Sequence, residues 1–236
     1  MKKIELGPII LTELNIKIQF SELVRKIKTA TARPDIRAAA EKILTDLSNL
    51  WKPVIVYSWH PYTKSKGSEE ALTIYTDKGQ IELNLGHSTQ FIAKASYVLI
   101  AAYSAGKEIE EAGQQAIKDE QLLAAYFIDL IGLLVLEKTG DIVKQLAELK
   151  AKDYGWGVSP FLSPGSIHGW ALEEQLKLCS LLPLNKIGLT IESDAVLMPF
   201  KSLSCLIGIG PSFTSTSVGS ACQVCLKYGD CLMKQL

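Results

Sequence analysis

The stretch Ser163-Pro164-Gly165-Ser166-Ile167-His168-Gly169-Trp170-Ala171-Leu172-Glu173-Glu174-Gln175 decides how the rest of the chain is read. It closes a run rich in turn formers, in which Gly155, Gly157, Pro160, Pro164, Gly165 and Gly169 fall within fifteen residues, with Ser159, Ser163 and Ser166 among them. Proline removes a backbone donor and glycine opens conformations closed to other residues, so the spacing predicts a long loop here. Long ordered loops inside a domain are commonly functional. Apolar periodicity then resumes, and Leu172 to Leu182 reads as an amphipathic helix.

Upstream of the loop, Gln121 to Lys138 is apolar nearly all round and carries the small residues Ala124, Ala125 and Gly132, as a central buried helix does. Gly140-Asp141 is expected to break it and cap a second helix, Ile142 to Lys152. Asp129 inside the apolar run demands a partner or a raised pKa, and a hydrogen bond to loop backbone is the expected structural answer. Tyr97 to Tyr103 is almost wholly apolar, the pattern of a strand covered on both faces. It runs into Ser104-Ala105-Gly106, a turn able to approach a ligand, and then a polar helix from Lys107.

Val54 to Trp59 reads as a strand, and Leu72 to Thr76 with Ile81 to Leu85 as a hairpin around Asp77-Lys78-Gly79. Ile9 to Phe20 carries the β-branched residues of a strand, and Ser21 is placed to cap a following helix. Pro34 stands in the first turn of another helix, Asp35 to Trp51. Downstream, strands are expected near Ile187 to Ile191 and over Ser202 to Ile209, followed by a Ser/Thr-rich linker, Ser212 to Ser220.

With 236 residues, 47% of them hydrophobic, the chain can fill a proper core. Twenty-five basic against twenty-five acidic side chains give a formal net charge of zero. No global field then attracts phosphate backbones or anionic lipid, and nucleic acid is not an expected partner. The longest apolar stretch, Leu122 to Leu136, is interrupted by Asp129 and falls short of the roughly 20 residues of a membrane-spanning helix, so no membrane association is expected. The N-terminus lacks an apolar segment of signal-peptide length before Glu13, which predicts a cytoplasmic protein.

Read together, the opening stretch, Ile187-Gly188-Leu189 and Met198-Pro199-Phe200-Lys201-Ser202-Leu203-Ser204 resemble the activation domain of cobalamin-dependent methionine synthase. Val98 to Gly106 and Phe127 to Gly132 are similar to that family's strand before a Gly turn and its acid-bearing central helix. The resemblance runs from about Leu50 to Ile209. It implies an α+β fold, C-shaped, with a twisted antiparallel sheet and flanking helices. It also implies binding of S-adenosylmethionine for reductive remethylation of oxidised cobalamin, here in a freestanding chain without its own cobalamin domain. The cofactor-binding residues it points to are Ser163, Pro164, Gly165, Ser166, His168, Gly169 and Trp170. Where the family carries an Arg before the Ser-Pro-Gly element and a Tyr after its Gly, this chain has Phe161 and Ser166; a guanidinium pairs with a carboxylate in a way Phe does not.

Cys222-x-x-Cys225 and Cys231 supply three soft thiolates near the C-terminus, and Cys205 is the candidate fourth ligand of a zinc or iron-sulfur site. The same cysteines also read as idle or reactive thiols. Cys179, mid-helix, reads as core. His168 lies in the signature loop and is able to reach a ligand; His60, beside Trp59 and Tyr62, reads as part of an aromatic surface or as core; His87 has no assigned role. No spacing suggests a Ser/His/Asp triad, and Gly208-Ile209-Gly210-Pro211 lacks the rest of a dinucleotide fingerprint.

The chain is thus expected to divide into an N-terminal packing segment (1–52), an activation-domain-like α+β domain (53–211) and a Cys-bearing tail (212–236). The expected role is that of an accessory protein of corrinoid-dependent one-carbon metabolism, serving a corrinoid protein or cobalamin-dependent methyltransferase. The alternative is a metal-binding scaffold that docks a corrinoid protein without S-adenosylmethionine.

Overall fold

The computed structural model describes residues 4–27, 33–65, 70–76, 79–166 and 170–219. In chain order it contains β1 (Ile9–Leu11), α1 (Phe20–Lys26), α2 (Pro34–Asp46), β2 (Val54–Pro61), β3 (Ala71–Thr76), β4 (Gly79–Asn84), β5 (Tyr97–Ser104), α3 (Lys107–Lys118) and α4 (Leu122–Asp153). These are followed by β6 (Gly157–Val158), α5 (Glu174–Ser180), β7 (Thr190–Ile191), β8 (Leu197–Met198) and β9 (Ser202–Gly210), with 3-10 turns at Gly86–Phe91 and Leu184–Ile187.

The apolar run at Tyr97 forms the middle strand of a five-stranded sheet ordered β1-β2-β5-β9-β6, antiparallel throughout. Ile100 of β5 lies opposite Ser58 of β2 on one side and Leu206 of β9 on the other. Because side chains alternate along a strand, Val56, Ile100, Ala102 and Leu206 meet the β3–β4 hairpin, Trp170 and α5 on one face. Tyr57, Leu99, Tyr103, Cys205 and Ile207 meet Val143 and Ala147 of α4 on the other. A third cluster joins Leu23 and Leu44 of α1 and α2 to Ile109, Phe127, Ile131 and Val135 of α3 and α4. The result is a mixed α+β fold with an antiparallel sheet flanked by helices. Among the described residues no helix is long and apolar enough to cross a membrane.

Several local expectations are corrected. Gly140-Asp141 does not break the central helix, since α4 runs unbroken for 32 residues. A Cβ at Gly140 would lie 2.6 Å from the Tyr103 hydroxyl, so the glycine makes room for a buried tyrosine of β5. Asp141 pairs with Lys144 instead of capping a helix. Nor is α4 buried all round, because Leu122, Leu123, Tyr126 and Leu133 are exposed.

Near the N-terminus only Ile9–Leu11 is a strand, and α1 is capped not by Ser21 but by Gln19, whose N–H donates to Glu22 in a capping box. Pro34 occupies the first turn of α2 as expected, but the helix ends at Asp46. The strand expected near Ile187 shrinks to Thr190–Ile191, because a 3-10 turn fills Leu184–Ile187.

Helix propensity alone favours Gly140→Ala by about 1 kcal/mol, whereas the Tyr103 hydroxyl would have to move. We expect a net loss of about 1–2 kcal/mol in urea unfolding, recovered in part by adding Tyr103→Phe. A stabilised Gly140→Ala variant would show that the helix and strand have slack at this crossing.

Candidate functional site

The glycine- and proline-rich run is irregular, as expected, but it does not leave the sheet. Past β6 the chain stays against β9: Ser159 N–H donates to the Gly208 carbonyl at 2.8 Å and its hydroxyl accepts from Gly208 N–H at 2.8 Å. Leu162 and Leu206 then exchange backbone bonds of 3.0 and 2.8 Å. Three residue steps on the loop match two on β9, so one residue is bulged out. On the outer side Val158 and Phe161 N–H donate to the Ser215 and Gly219 carbonyls, and Pro160 falls at the irregular step between them.

The bulge sends Phe161 into the core beneath α4 and Leu162 to the opposite face. The position at which the resembled family has its Arg is therefore a packed core residue. Ser163 is buried and its hydroxyl donates to the Ser204 carbonyl at 2.8 Å. Pro164 is buried, while Gly165 and Ser166 are exposed. Gly165 has φ +72°, a conformation open to glycine, and its N–H donates to the Trp170 carbonyl at 2.9 Å, closing the loop. The Trp170 ring is buried, and its Nε1 finds no partner among the described residues. His168 and Gly169 lie outside the described residues.

Two residue steps from the Ser163 contact, Ser202 stands opposite Ser104 at the ends of β9 and β5. The Ser104 hydroxyl donates to the Lys201 carbonyl at 3.2 Å and accepts from Gly106 N–H at 3.1 Å. Gly106, at φ +98°, brings the turn so close to Lys52 that a Cβ would lie 2.6 Å from the Lys52 carbonyl oxygen. This turn opens on a cleft of about 280 Å³ lined by Lys52, Ser104 and Lys107 on one side and by Gly188, Leu189 and Pro199 on the other. A neighbouring cavity of about 260 Å³ shares Lys107, Gly188 and Pro199 and adds Glu110 and Met198. Lys52 Nζ stands 3.8 Å from Glu108. The arrangement brings lysines, glutamates, a hydroxyl and turn backbone to one small cleft, and so can hold a small polar molecule carrying both charges.

Asp129, expected to be buried against loop backbone, is exposed and pairs with the Lys201 ammonium at 2.6 Å. The Lys201 chain itself is almost covered, lying where a Cβ at Gly132 would clash. The small residue and the acid of α4 thus seat a lysine from the Met198-Pro199-Phe200-Lys201 segment.

Cys179 is core, as expected, and burial pushes its thiol up to about 11. Cys205 is fully buried on the α4 side of β9, where burial raises its thiol still further. Cys222, Cys225 and Cys231 lie outside the described residues, among which no group of three His, Cys, Asp or Glu is placed to hold a metal ion. His60 is buried and its Nε2 lies 2.8 Å from the Ser58 hydroxyl. The exposed His87 lies 3.3 Å from Glu70.

Gln175 was not singled out by the sequence reading. It is buried on α5, accepts from the Ser204 hydroxyl at 2.8 Å and donates to the Ala195 carbonyl. The available signal was its place in the buried stripe Gln175, Leu178, Cys179, Leu182, where a polar residue has to be paired.

No protein-family model and no curated protein matches the chain. Among solved structures it is similar to the crystal structure of the MetH reactivation domain bound to AdoHcy, with a TM-score of 0.62 and 14% identity. The likeness covers 91% of this chain and 82% of that one. At this identity it establishes a common fold, the α+β arrangement to which the Ser163–Gln175 stretch pointed.

Burial holds His60 below the ordinary imidazole value of 6.5. Its neutral form therefore supports the fold above that pH, and the support is lost as pH falls, because the unfolded chain takes up the proton first. Urea midpoints measured from about pH 7 to about pH 5 should fall less steeply in His60→Gln than in the unaltered protein. Parallel curves would place the imidazole in contact with water.

Proposed function

We propose that this protein binds S-adenosylmethionine or its demethylated product, S-adenosylhomocysteine, and acts as an accessory of corrinoid-dependent one-carbon metabolism. The observation that carries the reading is the fold shared, over 91% of the chain, with a reactivation domain bound to AdoHcy. The cleft at the Ser104–Gly106 turn, two residue steps along β9 from the Ser163 contact, supports it. In this reading the ligand lies over the exposed Gly165–Ser166 backbone and reaches toward the strand ends at Ser104 and Ser202; Trp170 supports the loop from the core, and His168 and Gly169, outside the described residues, stay candidate contacts.

With Phe161 buried, the ligand's carboxylate is not met by a side chain at that position. Lys107, 3.4 Å from Glu111, and Lys52, 3.8 Å from Glu108, are the cations at the cleft that serve in its place, with Glu108 beside them for its ammonium. Methyl transfer asks for a donor carbon held in line with its acceptor, so the contribution of these residues is orientation, not proton transfer. The acceptor would be the corrinoid of a partner protein. The tail cysteines Cys222, Cys225 and Cys231 enter as a candidate zinc or iron-sulfur set, whereas Cys205, fully buried in the core beneath α4, is a packing residue.

Anaerobically purified protein is titrated calorimetrically with S-adenosylmethionine and S-adenosylhomocysteine, and iron, zinc and corrinoid are measured on the same batch. Saturable one-to-one binding is expected, weakened about tenfold by Lys107→Ala and more by Gly165→Val, which no longer suits φ +72°. No binding of either compound would overturn the reading and leave a scaffold on a shared fold.

A further inference from the structure

Helix α5 lays Leu178 and Cys179 against the sheet, with Leu182 just past its end, and places Gln175 on the same buried stripe. A buried carboxamide is costly when unpaired, and here both of its ends are used. Its Nε2 donates to the Ala195 carbonyl, and its Oε1 accepts from the Ser204 hydroxyl at 2.8 Å. The Ser204 carbonyl in turn accepts from the Ser163 hydroxyl at 2.8 Å. Three hydrogen bonds thus connect the signature loop, β9, α5 and the turn between β7 and β8.

That turn needs holding. Ala195 has φ +65°, a conformation that costs a residue with a side chain. Its N–H donates to the Glu192 carbonyl at 3.0 Å, and Glu192 N–H donates to the Val196 carbonyl at 2.8 Å. The turn leads directly into Met198 and Pro199; Pro199 lines both cavities and Met198 the second. An apolar side chain at position 175 would continue the stripe. The carboxamide supplies what an apolar chain lacks, a donor to one segment and an acceptor for another.

We infer that Gln175 is a positioning residue that fixes the β7–β8 hairpin, and with it the Pro199 wall of the cleft, relative to the Ser163–Gly165 loop. Its consequence for affinity rests on the adenosyl-ligand reading, whereas the coupling of hairpin to loop does not. In Gln175→Glu the chain length is kept. The ionised carboxylate has no donor for Ala195, and the protonated acid regains one.

The test combines amide hydrogen exchange, expressed as protection factors, with S-adenosylhomocysteine affinity, for Gln175→Glu and the unaltered protein. At about pH 8 the amides of Glu192, Ala195, Val196 and Gly165 in the variant should lose about tenfold in protection, while those of β5 keep theirs. Near pH 5 the difference should close. The unaltered protein, measured over the same range, controls for Glu173, Glu174, Lys177 and Cys179 on the helix and for Glu192 and Asp194 on the turn. Affinity should fall and recover in step.

Unchanged protection at both pH values would overturn the inference, as would an equal loss throughout β5 and β9. If Gln175→Glu does not fold, Gln175→Met supplies the test: faster hairpin exchange without pH dependence supports the coupling, and unaltered protection removes it. Ligand bound by Gln175→Glu at unaltered strength removes the positioning role and leaves the ligand reading intact. No ligand bound by the unaltered protein, with the exchange effect present, does the reverse.

Discussion

Burial of β5 on both faces is the constraint from which the architecture follows. From Val98 to Ser104 no side chain is more than marginally exposed, so each face of the sheet has to be covered by its own layer. One cover is the β3–β4 hairpin with α5, and the other is α4. Antiparallel neighbours on both sides satisfy the backbone of a strand that water cannot reach. Gly140 shows how closely the α4 layer sits, since the helix meets Tyr103 at a position with no room for a methyl group.

The sequence was most informative where burial and period coincide. The double-sided apolar pattern identified β5, β-branched density identified β2 and the hairpin, and the Pro34 and Lys107 starts identified two helices. It was least informative where a tertiary contact overrides a local signal. Gly140-Asp141 reads as a helix stop by propensity, yet a distant tyrosine explains the glycine and packing on the sheet carries the helix through. Asp129 reads as a buried acid because its neighbours in sequence are apolar, but apolar residues on the outer side of α4 are exposed, and the acid sits among them facing Lys201.

The signature loop combines both situations. Its glycines and prolines announce irregular backbone, and that much is correct. Its pairing with β9 is invisible locally, because the partners lie some forty residues away and the register is interrupted by a bulge. Only the fold reveals that Phe161 points inward and Gly165 outward. Phe161, which the local pattern leaves in a loop, is in three dimensions a core residue. The chain's core and its candidate ligand surface exchange places at one bulged residue.

Polar groups buried at the signature loop and the cleft reinforce that reading. Ser159, Ser163, Ser204 and Gln175 each spend their hydrogen bonds tying one irregular segment to a regular one. Buried polar links are costly if incomplete and rigidifying if complete. Here they concentrate where the chain is least regular, between the loop and β9 and between α5 and the β7–β8 turn. Beside that buried frame the cleft adds the charged groups Lys52, Lys107, Glu108 and Glu110, so rigidity comes from hydroxyls, a carboxamide and backbone while charge comes from the side chains that line the opening.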